Sequence, residues 1–275
     1  MNHKEKVTYY FEENAVAWRD LYRKNGSTRQ ENVNDLVLRD RNNYTVGMID
    51  RWLGRPSNIL DVGCGAGVTA LELLHRGHYV KGIDVSRKMI NLAQVAAQEA
   101  GIIQDRYSFV TGDLLDKTSS LTEFDSIVAL GFFEYQEHSV DVLEKFRDLL
   151  VPGGLLIIST PLPRQLANWF GFVSIAHKFK LRFSQSWRVG SRQEKITTSD
   201  ISIHRYNLNS FTKILRKADF TIVDSVHHGF ANIFPLDKLL PISWNKNIHL
   251  WLTSNATALG INKLANNLIV CAQKN

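Results

Sequence analysis

Three closely spaced glycines and a downstream aspartate are the residues of this sequence best suited to bind a cofactor. Gly63, Gly65 and Gly67 follow the apolar run of residues 59–62 and precede a segment with helical periodicity. Glycines let the backbone turn sharply with no Cβ in the way of a ligand, and the first N–H groups of a helix lack intrahelical partners. Asp84 follows about 20 residues later, where a carboxylate can accept bonds from ribose hydroxyls. The pattern predicts a nucleotide-like cofactor.

The exact spacing narrows the choice of cofactor. The sixth position counted from Gly63 is Val68, so the third glycine of a dinucleotide fingerprint comes one residue early, which disfavours nicotinamide. Asp113 ends a further strand and can accept a bond from an adenine amino group. The alternatives are a glycine turn without a ligand, and aspartates that cap helices. Cys64 is interpreted as a small packing residue rather than a nucleophile.

These residues need a parallel sheet to bring them to one edge. Five short apolar runs alternate with helical stretches, which is typical of strands covered by helices on both faces. The predicted strands are residues 59–62, 79–83, 107–110, 124–130 and 155–159, and the last is entered through the turn VPGG. Residues 221–226 and 267–272 are candidates for a sixth and a seventh strand.

These motifs, in unbroken order over about residues 55–160, resemble those of the class I S-adenosylmethionine-dependent methyltransferases. ILDVGCGAG resembles the first motif, GIDVS the acidic second strand, TGDLLD the third and LLVPGGLLIIS the fifth. The resemblance implies an α/β fold with a Rossmann-like, doubly wound sheet of seven strands whose last strand is antiparallel. It implies S-adenosyl-L-methionine as cofactor. By position, it assigns the methionine part to Gly63, Cys64, Gly65 and Leu130, the ribose to Asp84, the adenine to Asp113 and Leu114, and the adenosine surface to Val85 and Met89.

Composition agrees with one enzyme domain of 275 residues, of which 44% are hydrophobic. We predict a helical lid over residues 1–54, the cofactor-binding core over 55–160, and substrate-side insertions with the last strands over 161–275. The chain has two cysteines, no charged-then-apolar leader and no run of about 18 apolar residues, which favours the cytoplasm. The formal charge of +6 leaves an RNA methyltransferase as an alternative, although the charge is spread along the chain. A non-catalytic cofactor-binding protein is the other alternative.

The segments outside the core are expected to select the acceptor. Near the start of the chain, Tyr10 and Trp18 belong to an amphipathic helix that resembles the lid of small-molecule methyltransferases, and the magnesium-protoporphyrin carboxyl methyltransferases share part of this pattern. The alternative is a helix that only packs on the sheet. Residues 164–183 predict an insertion helix after the fifth strand, with Trp169 and Phe170 on its apolar face.

The predicted helix at residues 164–183 has two interpretations. It is a lid over the acceptor pocket or a peripheral membrane contact, since aromatic residues opposite Lys and Arg suit both roles. After the sixth strand, residues 235–244 and 247–255 predict two short helices. These apolar elements favour a hydrophobic small molecule or a lipid-like biosynthetic intermediate as acceptor.

Two residues are candidates for a catalytic base that assists O-methylation by in-line transfer. His204 precedes a predicted helix at 208–218, where resembling enzymes carry a histidine facing the acceptor, and its alternative role is that of a surface or capping residue. Glu134 follows the fourth strand, but Tyr135 replaces the histidine of the family's LEH pattern. His227 and His228 have no partners at metal-ligand spacing, so no metal site is predicted.

Overall fold

The computed structural model describes residues 1–22, 33–115, 123–163, 201–230, 241–256 and 258–275. Within these ranges, the α-helices are α1 His3–Tyr22, α2 Val33–Trp52, α3 Val68–His75, α4 Arg87–Glu99, α5 Ser139–Leu149, α6 Leu208–Lys217 and α7 Ile242–Asn255. The strands are β1 Asn58–Val62, β2 Tyr79–Asp84, β3 Tyr107–Thr111, β4 Phe124–Ala129, β5 Leu150–Pro161, β6 Phe220–His228 and β7 Asn267–Lys274.

The seven strands form one sheet in the order β3-β2-β1-β4-β5-β7-β6. The first five strands pair in parallel, whereas β7 runs antiparallel to both β5 and β6. The predicted fold class, a Rossmann-like α/β sheet of seven strands with an antiparallel last strand, is confirmed. The strand order reverses between β1 and β4, and a sheet of this type binds ligands at the carboxyl ends of the strands beside such a reversal.

The core lies on both faces of the sheet because each central strand sends alternate side chains to opposite faces. On β1, Ile59 packs with α2, α3 and α4, while Leu60 packs with α5 and α6. Neither side chain has measurable exposure. Burial on both faces explains why these strands are continuous apolar runs without polar alternation, and it fixes the register that places the strand ends together.

Three helical details differ from the predictions or lie outside the described residues. The two short helices predicted after the sixth strand are separated at residues 245–246, but α7 continues through these positions, so that boundary is wrong. Most of the first of those helices falls outside the described ranges. The predicted helix at 164–183, with Trp169 and Phe170, lies entirely outside them.

The first helix packs across the carboxyl edge of the sheet. Its Ala15 is buried with Ala66 and Met89, and Phe11 and Trp18 pack against this small cluster. Helix α1 thereby contacts α4 and α2. In the ranges that the structure describes, no helix is both long and apolar enough to cross a bilayer.

Candidate functional site

The turn after β1 depends on its glycines. Gly63, Gly65 and Gly67 have φ values of 69°, 52° and 77°, in the left-handed region that side chains rarely adopt. The N–H groups of Gly63 and Cys64 donate to the carbonyl of Ile83 at 2.8 and 3.2 Å, which ties the turn to the end of β2. Helix α3 then begins at the turn, so its first N–H groups face the carboxyl edge of the sheet.

Asp84 is fixed at the end of β2 by two backbone bonds. Its Oδ2 accepts from the N–H of Gly65 at 2.9 Å, and its Oδ1 accepts from the N–H of Ser86 at 2.8 Å. Burial raises the pKa of Asp84, with a further rise from Glu12, although the two backbone bonds act in the opposite direction. Each carboxylate oxygen has a second lone pair, so the site retains two acceptors for a ligand diol.

Asp113 lies at the end of β3 and faces the same crevice. Its Oδ1 accepts from the N–H of Leu115 at 2.9 Å, and its Oδ2 pairs with Lys4 of helix α1. A carboxylate held in this way can still accept from an exocyclic amine. The contact also fixes the start of α1 above the crevice.

A cavity of about 300 Å³ lies between this edge and helix α1. All nine residues assigned to the cofactor line it: Gly63, Cys64, Gly65, Asp84, Val85, Met89, Asp113, Leu114 and Leu130. Trp18 and Glu134 line it as well, whereas Tyr10 and His204 do not. Helix α1 supplies part of the wall through Lys4, Phe11 and Trp18. The cavity is large enough for a small ligand with several polar groups.

Two further polar residues line the cavity that sequence analysis did not identify. Asp61 on β1 is 2% exposed, and its Oδ2 has no hydrogen-bond partner among the described residues. Burial, together with the charge of Asp84, raises the pKa of Asp61 to about 7. Arg41 on α2 lies beside Gly131, where an added Cβ would meet its guanidinium at 2.9 Å. A carboxyl group and a guanidinium at one end of the cavity suit a ligand that carries both an ammonium and a carboxylate.

The opposite wall is formed by the segment after β4. Glu134 is 8% exposed, its Oε2 has no partner within the described ranges, and burial raises its pKa. Tyr135 packs edge-on against Phe11 at 5.5 Å, and its carbonyl accepts from the Nε2–H of His3 at 2.9 Å. Burial and the nearby Glu134 also raise the pKa of the Tyr135 phenol. This wall therefore presents to the cavity a carboxyl group and a phenol that both hold their protons more tightly than the same groups at a surface.

The remaining predicted site residues lie elsewhere. His204 is exposed, and only its backbone approaches the site, since its N–H donates to the carbonyl of Glu134 at 2.8 Å. Tyr10 packs edge-on against Phe11 at 5.2 Å, and Phe11 is the ring that lines the cavity. Within the described chain, no group of three His, Cys, Asp or Glu side chains is arranged to hold a metal ion.

The fold and the cavity define a doubly wound α/β domain with a ligand site at the carboxyl edge of its sheet. A family model described as a methyltransferase domain matches residues 54–217, which is more than half of the chain. The chain therefore belongs to the methyltransferase domain family, and it has the fold of the class I, S-adenosylmethionine-dependent members. The predicted cofactor, S-adenosyl-L-methionine, is thereby confirmed.

Curated relatives match part of the chain. A ubiquinone biosynthesis O-methyltransferase of Histophilus somni is 30% identical over 113 residues, which is 40% of this chain and 47% of the relative. The corresponding protein of Roseobacter denitrificans is 34% identical over 119 residues, covering 42% and 47% of the two chains. The chain thus spans about half the length of these relatives.

Solved structures extend the similarity of fold to the whole chain. Magnesium protoporphyrin IX methyltransferase from Synechocystis PCC 6803, crystallised with SAH, has a TM-score of 0.62 at 21% identity and covers 99% of this chain and 100% of its own. The [4+2]-cyclase SpnF has a TM-score of 0.61 at 16% identity, covering 98% and 94%. Since the second protein bears the name of a cyclase, the fold alone does not define the reaction.

Proposed function

We propose that this protein transfers a methyl group from S-adenosyl-L-methionine to a hydroxyl oxygen of a hydrophobic small molecule or lipid-like intermediate. The observation that carries the proposal is that one cavity has Asp84 and Asp113, the carboxylates we assign to the nucleoside, on one side and the buried Glu134 on the other. The names of the curated relatives, ubiquinone biosynthesis O-methyltransferases, support an oxygen acceptor on a hydrophobic molecule.

The polar residues of the cavity match the chemical groups of the proposed cofactor. Asp84 has acceptors for the two ribose hydroxyls, and Asp113 for the adenine amine. The vacant Oδ2 of Asp61 suits the methionine ammonium, and Arg41 suits the methionine carboxylate. Such charge-assisted bonds are stronger than neutral ones, so these four side chains give the cofactor both affinity and orientation.

When bound, S-adenosylmethionine supplies a methyl group activated by a sulfonium. The protein then has mainly to align the acceptor and to exclude water, and positioning alone can lower a barrier by roughly 7–11 kcal/mol. Helix α1 serves both needs because Phe11 and Trp18 cover the cavity with apolar surface. We therefore assign α1 the role of lid.

We assign Glu134 as the base that receives the proton of the hydroxyl group to be methylated. Its side chain lines the cavity, and its vacant Oε2 can accept a hydrogen bond from a hydroxyl group. Because burial raises its pKa, the ionised form is a stronger base than a surface carboxylate. His204 remains the alternative base, although its imidazole is exposed outside the cavity wall.

The substrate class is tested by supplying methyl-labelled cofactor with separate small-molecule, lipid and RNA extracts. We expect label in a hydrophobic product that is stable to mild base, as an ether is. Label only in RNA would replace the proposed acceptor with nucleic acid. Binding of the cofactor without label in any extract would support a non-catalytic protein.

The two candidate bases are separated by Glu134→Gln and His204→Ala. General-base assistance contributes about 10²–10⁴-fold, so Glu134→Gln should lower kcat by that factor while the affinity for the cofactor is retained. His204→Ala should leave kcat near the parent value. The reverse pattern would assign the base to His204, and unchanged turnover in both variants would remove the base from the mechanism.

A further inference from the structure

Helix α7 carries an exposed apolar ridge on the side that faces away from the core. Trp244, Ile248 and Trp251 are 63%, 39% and 57% exposed, and their spacing of four and three residues puts them on one face of the helix. On the opposite side, His249 is 1% exposed and Ala256 is 2% exposed. We call the three exposed side chains the α7 ridge.

Helix α7 itself carries no negatively charged side chain. It has no Asp or Glu, and its only Lys or Arg is Lys246. Its exposed flanking positions in the described part of the chain are Ser243, Asn247, Leu250 and Ser254. The chain as a whole has a formal charge of +6. Single exposed apolar residues are ordinary, but a contiguous ridge with two indole rings marks a contact surface.

We propose that the α7 ridge is a docking surface for anionic phospholipid bilayers. Tryptophan rings favour the headgroup level of a membrane, where the ring is in an apolar layer and the indole N–H is hydrated. The net positive charge draws the protein to an anionic surface, while the absence of acidic residues on α7 removes local repulsion. The helix lies in the interface, with its uncharged Ser and Asn residues at the polar boundary.

A bilayer accounts for these features better than a second copy of the chain. A protein partner is usually held in register by charged or hydrogen-bonded pairs around an apolar centre. The exposed positions that the structure describes beside the α7 ridge carry no charged side chain, which suits a fluid surface without fixed partners.

The packing of α7 brings this surface close to the cavity. The Nε2–H of the buried His249 donates to Asp40 Oδ2 of α2 at 2.8 Å, so the two helices are joined on the side opposite the ridge. The next residue of α2, Arg41, lines the cavity. A protein docked through α7 therefore holds one wall of its cavity near the lipid surface. Membrane docking is independent of methyl transfer, and the test below uses no acceptor.

The test is cosedimentation of the full chain with vesicles of phosphatidylglycerol and phosphatidylcholine in equal parts, and with vesicles of phosphatidylcholine alone. We expect binding to the anionic vesicles with a blue shift of tryptophan emission, and weaker binding as the salt concentration rises. The double variant Trp244→Ser/Trp251→Ser should lower the partition coefficient by about tenfold or more. The double variant with Tyr at both positions should retain most binding, because tyrosine also favours the interface.

Trp52→Ser is the matched control, since Trp52 is 43% exposed on a different helix. Its binding should equal that of the parent chain. Failure of the parent chain to bind anionic vesicles would overturn the proposal, as would equal binding by the double Ser variant. Self-association that the double Ser variant abolishes, without vesicle binding, would assign the α7 ridge to a second copy of the chain and overturn it too.

Discussion

The N–H of Gly65 donates to Oδ2 of Asp84 at 2.9 Å, so the turn after β1 and the last residue of β2 form one hydrogen-bonded unit. The glycine leaves space for a ligand at the same point where it orients the carboxylate. The two most recognisable motifs of the sequence are therefore one structural feature, and a change in either is expected to disturb the other.

Replacing this carboxylate should weaken cofactor binding. In Asp84→Ala, the ribose loses its charge-assisted acceptors, which is worth about 1.5–3 kcal/mol. Calorimetry with S-adenosylhomocysteine should show a dissociation constant raised roughly 10- to 100-fold. Asp125→Ala is the control, because Asp125 accepts from the N–H of Asn58 at 2.9 Å but does not line the cavity. An unchanged affinity in Asp84→Ala would contradict the ribose assignment.

The vacant carboxyl of Asp61 should make cofactor affinity depend on pH. Its pKa is about 7 in the folded protein, so the group is largely neutral at pH 6 and charged at pH 8. A nearby ligand ammonium favours the charged form, hence affinity should rise as the pH increases through about 7. Asp61→Asn should bind more weakly at pH 8 and lose most of this dependence. Parallel pH profiles for the two proteins would exclude Asp61 as the titrating group.

The Asp61 carboxyl group should also make the stability of the ligand-free protein depend on pH, but stability should fall where cofactor affinity rises. In the ligand-free protein, the folded state binds a proton that the unfolded state releases above about pH 4, so the free energy of unfolding should fall as the pH rises from about 4 to 7. Urea titrations of Asp61→Asn should show a flatter profile across this window.

Replacing a glycine of the turn should cost more stability than replacing a left-handed glycine that has no close neighbour. Gly67→Ala combines a left-handed φ of 77° with a Cβ only 2.9 Å from that of Ala93. Gly77→Ala has a φ of 97° but meets nothing within 4 Å. Left-handed strain alone costs about 1–2 kcal/mol, so Gly67→Ala should lose more stability than Gly77→Ala in urea unfolding. Equal losses would mean that α4 shifts freely to admit the methyl group.

The buried His228 is expected to reduce stability. Its side chain has no exposed surface, neither ring nitrogen has a hydrogen-bond partner in the described part of the chain, and its ring lies 6.0 Å from that of Tyr44. His228→Phe keeps the ring contact and removes two unsatisfied polar atoms, which should raise the free energy of unfolding by about 1–3 kcal/mol. The gain should grow on acidification, because burial lowers the pKa of His228 to about 3 and only the unfolded chain is protonated near pH 5.

The control for this substitution is another buried histidine that has a partner. Nδ1 of His78 accepts from the N–H of Ser57 at 3.2 Å, so His78→Phe leaves a buried donor unpaired. That variant should lose about 1–3 kcal/mol. A loss of similar size in both variants would show that His228 makes a stabilising contact.

The sequence predicted the cofactor side of the cavity because its residues follow strand ends in local motifs. Gly63, Asp84 and Asp113 each end a short apolar run, and parallel pairing brings such ends to one edge. The other wall depends on contacts distant in sequence. Arg41 lies beside Gly131, 90 positions away. The helical pattern predicted a solvated side chain for Arg41, as for Arg39 and Arg51, whereas Arg41 lines the cavity.

Asp61 could not be predicted as a site residue for a different physical reason. It lies within an apolar strand, where the sequence indicated only burial and gave no sign that one oxygen would lack a partner. Phe11 and Tyr10 are adjacent aromatic residues, and their orientation depends on how α1 docks. The sequence thus predicted which residues are present near the site, whereas packing determined which of them face the cavity.

The pairing of Lys4 with Asp113 fixes the start of α1 to the end of β3. Further along the helix, Glu12 accepts from Ser86 Oγ at 2.6 Å, close to Asp84 at the end of β2. His3 of the same helix donates to the carbonyl of Tyr135 at 2.9 Å, so α1 is attached to both walls of the cavity. We therefore expect ligands to enter and leave only when α1 lifts, and the lifting of α1 to set the pace of repeated turnover.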